Sequence, residues 1–198
     1  MLSNSLLYFS DDEEKYNLEI KIINCMKSRV NTRYINVITP FVESTNNNYG
    51  FLIMSINCIL IELFYQLKHG LNRTDSMKKA TIKDAFREVI PELDNSFYKK
   101  TGEQFYTEIR CKLIHQAQTE SNVALSMTTT SLITTTEHEG YTVYNPILFF
   151  NDIVLLYSTI FDPYEYENNS LLRRNIVNKV KQIAFKMDLK KIKDLEDL

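Results

Sequence analysis

One stretch of the chain, residues 50–68, is apolar on nearly every side of a helix and constrains the fold more than any other segment. A helix that is apolar all round is usually buried at the centre of a protein. Gly70 follows it and suits a C-terminal cap. A membrane span needs about 20 largely apolar residues, whereas polar residues such as Asn57 and Glu62 interrupt this run. The sequence therefore predicts a central core helix.

The composition indicates one globular domain. The chain has 198 residues, of which 44% are hydrophobic, so it can bury a sizeable core within a single domain over residues 1–198. Four glycines and four prolines argue against collagen-like, linker-rich and many-turned barrel architectures. A net charge of −2 excludes a generic polycation that coats nucleic acid.

Helical spacing of apolar residues recurs along the chain. We expect Pro40 to kink the second helix, Pro91 to end the fourth and Gly102 to interrupt the fifth. Asn145 and Pro146 predict an N-cap followed by proline at the first helical position. The tail, about 188–198, alternates charges and is expected to fray. The expected helices cover residues 11–30, 34–44, 50–68, 81–90, 95–118, 147–161 and 170–187.

Residues 122–144 have a different character. They are rich in threonine, serine and β-branched residues and show no helical period. We interpret them as a β-hairpin with a turn at 137–140, inserted between helices. The alternative is a disordered Ser/Thr loop. The expected fold class is an all-α helical bundle with this small β-hairpin insertion.

The cysteines and the first residues favour a reducing compartment. Cys25, Cys58 and Cys111 are odd in number and far apart, without metal-ligand spacing. We expect reduced thiols, no metal site and no cofactor. Residues 1–10 have no basic region and no small-residue cleavage site, so we expect a cytoplasmic protein without membrane contact.

Arg110 and His115 are the candidate chemical residues. An arginine supplies a permanent positive charge that matches phosphate geometry, and a histidine exchanges a proton near neutral pH. Together they suit cleavage of a phosphodiester without a metal. On a straight α-helix, however, they would lie about 140° apart around the axis. The spacing alone is a weak signal, because a surface arginine and a structurally satisfied histidine on one helix produce it by chance.

Residues 105–117, Phe-Tyr-Thr-Glu-Ile-Arg-Cys-Lys-Leu-Ile-His-Gln-Ala, resemble the Arg-x(4–6)-His motif helix of the HEPN (higher eukaryotes and prokaryotes nucleotide-binding) superfamily. Two further features are similar to uncharacterised bacterial HEPN-like proteins. Arg33-Tyr34 enters a helix, and Gly50-Phe51 opens a helix that carries Cys58-Ile59-Leu60-Ile61-Glu62. The resemblance covers roughly residues 34–161 in outline, and only the motif helix is specific.

The resemblance implies an all-α bundle and, in many members, a homodimer whose arginines and histidines meet at the interface. It implies a metal-independent endoribonuclease, acting as a toxin or antiviral defence effector on RNA. A cognate antitoxin or regulatory protein is then an expected partner. Arg110 would bind the scissile phosphate, and His115 would be the general acid or base. The products would carry 2′,3′-cyclic phosphate and 5′-OH ends.

One position departs from the motif. Active members often have a polar residue after the arginine, and here it is Cys111, a poor substitute for a polar orienting group. An alternative function is therefore a catalytically inactive HEPN-like module that binds a partner protein or a nucleotide. A third is a helical dimerisation subunit of a larger complex.

Supporting residues come from neighbouring helices. Glu62, a carboxylate in an apolar helix, either holds the Arg110 guanidinium or points to water. The final helix is basic and includes Lys179, and a charged face in solvent is the simpler interpretation of it. The same choice, RNA binding or a solvated face, applies to the remaining basic candidates, Lys79, Lys83, Arg87 and Lys112.

Overall fold

The fold was analysed in a computed structural model, which describes residues 10–44, 46–72, 79–116, 118–136 and 140–186. The tail predicted to fray, residues 188–198, lies outside this part. Within it the chain is mainly helical and carries a small three-stranded sheet. The mainly helical class is therefore as expected.

The described residues form nine α-helices and three short strands, and the strands lie between α6 and α7. The helices are α1 Ser10–Val30, α2 Asn36–Val42, α3 Gly50–His69, α4 Lys79–Leu93, α5 Lys99–Phe105, α6 Lys112–Gln116, α7 Pro146–Ile160, α8 Pro163–Asn168 and α9 Ser170–Lys186. The strands are β1 Val123–Leu125, β2 Ile133–Thr135 and β3 Thr142–Tyr144.

Helix α3 is the centre of the molecule and packs against α4, α7 and α9. By length and composition it could cross a membrane, but half of its most apolar window is buried inside the fold, as in a core helix. From α7, the buried Tyr157 hydroxyl donates to the Leu60 carbonyl oxygen of α3 at 2.9 Å. Gly70 caps the helix at φ 64°, in the left-handed region that glycine adopts without a steric penalty. The predicted central helix and its cap are both confirmed.

Gly102 lets α5 lie directly on α4. A Cβ atom at this position would stand 2.2 Å from the Phe86 carbonyl oxygen and 2.8 Å from the Arg87 Cα. The predicted interruption at Gly102 is wrong, because α5 continues through it to Phe105. Because Gly102 has no side chain, α5 can pack closely against α4. The ring of Phe86 then stacks on Phe105, with their centroids 5.7 Å apart.

The segment predicted as a hairpin forms a sheet of strand order β1-β3-β2. Strands β2 and β3 are antiparallel, as a hairpin requires, while β1 pairs parallel to β3. The sheet leads into α7 through Asn145, whose Oδ1 accepts hydrogen bonds from the Ile147 and Leu148 amides. The same side chain donates to the Thr129 carbonyl at 2.6 Å. The predicted N-cap is therefore confirmed, and it also fixes the sheet to the helix.

Other boundaries differ from those predicted. Helix α4 continues past Pro91 to Leu93. Pro40 lies inside α2, at the position where the sequence predicted a kink. The long helix expected from residue 95 begins at Lys99 instead. Lys179 is not on a solvated face, because it is buried and donates to Gln66 Oε1 at 2.5 Å and to the Asn72 carbonyl at 2.6 Å. These two acceptors compensate the cost of burying its ammonium group.

Two helices change to π geometry for one turn. Residues Asn31–Ile35 join α1 to α2 in this way, and Tyr106–Cys111 join α5 to α6. A π turn holds an extra residue compared with an α turn, so the side chains after it face a different direction. Neither turn contains glycine or proline. The 100° spacing that placed Arg110 and His115 on separate faces therefore does not apply through this helix.

Candidate functional site

A groove of about 390 Å³ lies where α3 meets the two π turns. Helix α3 contributes most of its lining, the second π turn contributes Arg110, and the first contributes Tyr34. The volume falls within the range of about 300–1,000 Å³ that small-ligand sites occupy. The lining residues are Tyr34, Cys58, Ile59, Glu62, Leu63, Gln66, Arg110 and Ile114.

Arg110 is held in this groove by Glu62. Its Nε donates to Glu62 Oε1 at 2.9 Å, and the two side chains are 16% and 19% exposed. Among the hydrogen bonds of the described residues, none uses the two terminal amino groups of Arg110. The guanidinium is therefore fixed through one nitrogen, and its other two nitrogens remain available to a ligand. The predicted contact of Glu62 with Arg110 is confirmed, and the alternative, in which Glu62 points to water, is wrong.

The surroundings keep Arg110 charged. Burial by itself lowers its pKa, but the charge of Glu62 and their hydrogen bond raise it above the ordinary value. The guanidinium carbon also lies 6.0 Å from the centre of the Tyr106 ring, within reach of a weak cation–π attraction. Arg110 thus places a permanent positive charge, paired with Glu62, in a groove whose other walls are mainly apolar.

Cys111 contacts the aromatic wall behind the arginine. Burial, followed by a hydrogen bond with Cys111, raises the pKa of the Tyr106 hydroxyl. Cys111 itself is a half-buried free thiol. On the floor of the groove, burial and the nearby Glu62 charge raise the pKa of the Cys58 thiol, so it remains protonated. Cys58 thus lines the groove beside the charged pair of Glu62 and Arg110, and Cys111 supports the Tyr106 ring behind it.

His115 lies in α6, just beyond the second π turn, and its side chain is exposed. It is not part of the groove lining. A single chain therefore does not bring Arg110 and His115 into one groove. The imidazole is nevertheless accessible, rather than packed into the core.

The sheet is anchored to the motif helix. The Tyr144 hydroxyl of β3 donates to Glu108 Oε2, in the second π turn, at 2.8 Å. The Tyr144 ring also meets Phe105 edge-on, with centroids 5.5 Å apart. Burial and the contact with Glu108 raise the pKa of the Tyr144 hydroxyl. The inserted strands therefore support the turn that carries Arg110.

Three of the four remaining basic candidates lie against acidic side chains. Lys83 lies 3.0 Å from Glu103, and Arg87 lies 3.1 Å from the same carboxylate. Lys112 lies 2.9 Å from Glu120. Lys79 begins α4, and its side chain is outside the part that the structure describes. For the three described side chains, the acidic neighbours favour the alternative of a mixed, solvated face.

Sequence reasoning did not include Tyr34 and Gln66 in the site. Tyr34 was quoted only as part of the family resemblance, and it reaches the groove because of the first π turn. Gln66 follows Glu62 by four residues on α3, which places both on one helix face. That spacing was available in the sequence, whereas the π turn left no comparable signal.

No group of three or more His, Cys, Asp or Glu side chains in the described part is arranged to hold a metal ion. A second cavity, of about 340 Å³, lies near the C-terminal end of α3 and includes His69 and Lys68. It contains none of the predicted site residues.

Comparisons with protein-family models, curated proteins and solved structures found no match to this chain.

Proposed function

We propose that the protein is a metal-independent endoribonuclease of the HEPN type, with Arg110 and His115 as its catalytic residues. The observation that carries the proposal is Arg110, fixed by Glu62 in a groove with two terminal amino groups available to a phosphate. The resemblance of residues 105–117 to the Arg-x(4–6)-His motif supplies the reaction class. A toxin or antiviral role in the cytoplasm belongs to this proposal.

In this mechanism Arg110 binds the scissile phosphate and stabilises the charge that develops on it. His115 removes the proton from the ribose 2′-OH or donates one to the leaving 5′ oxygen, and water carries out the other of these two proton transfers. The 2′ oxygen attacks the phosphorus and the 5′ oxygen leaves, which gives 2′,3′-cyclic phosphate and 5′-OH ends. Glu62 does not contact the substrate and acts as a positioning residue for Arg110.

A homodimer is part of the proposal, because His115 lies outside the groove of its own protomer. A two-fold pairing along the exposed side of α3 could place His115 of one protomer at the Arg110 groove of the other. That side is apolar, since Phe51 and Leu52 are exposed and Ile59 continues the stripe to the groove. A face of this kind is typical of protein contact surfaces.

The test is cleavage of RNA by the purified protein in excess EDTA. We expect cleavage that persists in EDTA and falls by about 10²–10⁴-fold or more in His115→Ala, with a comparable loss in Arg110→Ala. His69→Ala and Arg174→Ala are matched controls, because each removes the same residue type outside the groove. They should retain activity. Loss of cleavage in EDTA, or full activity of Arg110→Ala, would refute the proposal.

A second candidate function is a catalytically inactive HEPN-like module that binds a partner protein or a nucleotide. The observation in its favour is again the position of His115 outside the groove lining. A folded, dimeric protein that binds RNA through Arg110 but leaves every RNA intact would support this candidate. An antitoxin or another regulatory protein would then be its expected partner.

A further inference from the structure

Both π turns in the described part of the chain contribute a residue to the same groove. Within the described residues, π geometry occurs at Asn31–Ile35 and at Tyr106–Cys111. Tyr34 comes from the first and Arg110 from the second, and both line the groove on α3. Such turns are frequent at functional sites, where they re-aim side chains. Tyr34 thus reaches the groove from a π turn, as Arg110 does.

The remaining lining has the chemistry of a nucleotide pocket. Arg110 offers two nitrogens to a phosphate, while Ile59, Leu63 and Ile114 provide apolar walls. The half-buried Tyr34 adds an aromatic ring. Aromatic rings bind unpaired bases by stacking, and they do so with little dependence on base identity. Every nucleotide carries a phosphate anion close to a flat aromatic base.

We propose that Tyr34 stacks on an unpaired base next to the phosphate held by Arg110, so that the groove selects single-stranded RNA. This inference rests on the proposed function for its substrate class. A base within a duplex has both faces covered by its neighbours, and only a splayed-out base exposes a face to a protein ring. Tyr34 is then a substrate-contacting residue that sets strand preference, while Arg110 holds the phosphate.

The first test uses binding, so that it does not depend on cleavage. A nucleoside 3′-monophosphate and inorganic phosphate are titrated calorimetrically against the full chain at one ionic strength. The wild type should bind the nucleotide more tightly than phosphate. Tyr34→Ala should weaken nucleotide binding about 5- to 140-fold, because base stacking on an aromatic ring contributes about 1–3 kcal/mol. Its affinity for phosphate should not change.

Two further variants keep the test valid if Tyr34→Ala does not fold. Tyr34→Phe retains the ring and should bind like the wild type, whereas Tyr34→Leu retains apolar bulk without a ring and should bind like Tyr34→Ala. Tyr164→Ala is the matched control, because Tyr164 is exposed and lies outside the groove. Equal nucleotide affinity in Tyr34→Leu and the wild type would overturn the proposal.

The outcomes separate this inference from the proposed function. Tyr34-dependent nucleotide binding without RNA cleavage supports the pocket and refutes the nuclease. Arg110-dependent phosphate binding with no gain from the base refutes the pocket and leaves the anion site. The proposed Tyr34 pocket is also refuted if a second copy of the chain fills the groove, so that the dimer binds no nucleotide. Where cleavage is seen, equal rates on single-stranded and duplex RNA contradict the inference.

Discussion

The Arg110–Glu62 pair gives the most quantitative prediction. Its Nε–Oε1 distance is 2.9 Å and its side chains are 16% and 19% exposed, so it lies between a surface pair and a buried one. Removing one partner of a fully buried pair costs about 3–5 kcal/mol, and an exposed pair contributes about 0–1 kcal/mol. We therefore expect Arg110→Ala or Glu62→Ala to lower the free energy of unfolding by about 2–3 kcal/mol.

The double variant should cost less than the sum of the two single variants. Once one charge is absent, removing the other no longer breaks the pair, so we expect a coupling energy of about 1–2 kcal/mol. Urea unfolding at pH 7, followed by far-ultraviolet circular dichroism, measures each value. For a chain of this size each single variant should lower the Tm by roughly 4–12 °C.

A second cycle provides the control. Lys83 and Glu103 lie 3.0 Å apart but are 37% and 35% exposed, so their coupling should stay below about 1 kcal/mol. If the Arg110 and Glu62 substitutions are additive within about 0.3 kcal/mol, the pair does not form in solution and the reasoning about the groove fails.

Three other measurements test the fold around the site. Gly102→Ala should lower the free energy of unfolding in urea by about 3 kcal/mol, because the alanine Cβ would lie 2.2 Å from the Phe86 carbonyl oxygen. Gly140→Ala is the control. Its Cβ would meet no atom within 4 Å, so it should cost only the strain of the positive φ. Tyr144→Phe should lower the free energy of unfolding by about 1–3 kcal/mol, since Glu108 loses its buried hydrogen-bond donor; an unchanged value would show that this bond is absent. Burial raises the pKa of Glu88, but hydrogen bonds from His69 and Lys68 hold that pKa below its ordinary value. The stabilisation that the ionised Glu88 carboxylate provides is therefore present above pH 4.5 and is lost as the pH falls through the folded-state pKa. Glu88→Gln should therefore flatten the loss of stability on acidification below pH 4.5, and a pH profile identical to the wild type would contradict this assignment.

Local rules were sufficient for the helix ends that the sequence predicted. Gly70 caps α3 because glycine alone adopts its positive φ without strain, and Asn145 caps α7 through its own neighbouring amides. Both features depend on residues within one helical turn. The contact between Glu62 and Arg110 was one of two alternatives, since a carboxylate in an apolar helix needs a partner or solvent.

Features that depend on distant contacts were not predictable in the same way. The parallel pairing of β1 with β3 joins segments about 20 residues apart, and only the packed fold decides it. Gly102 was interpreted as an interruption, because its close contact with Phe86 is invisible in a single sequence. The burial of Lys179 depends on acceptors from Gln66 and Asn72, more than a hundred residues earlier.

The candidate site shows the same division. The motif singled out Arg110, which lies in the groove, and His115, which lies outside it. The geometry of the groove was not predictable, because the π turn at Tyr106–Cys111 redirects the side chains that follow it and the turn at Asn31–Ile35 brings in Tyr34. Two local departures from α geometry therefore determine which residues share the groove.

The most direct test of the account compares an RNA with the same sequence carrying 2′-deoxyribose at the mapped cleavage position. The proposed reaction uses the 2′-OH as nucleophile. We expect cleavage of the RNA in EDTA with 2′,3′-cyclic phosphate ends, and no cleavage at the substituted position. Cleavage of the 2′-deoxy position, or products with 3′-OH ends, would contradict the roles assigned to Arg110 and His115.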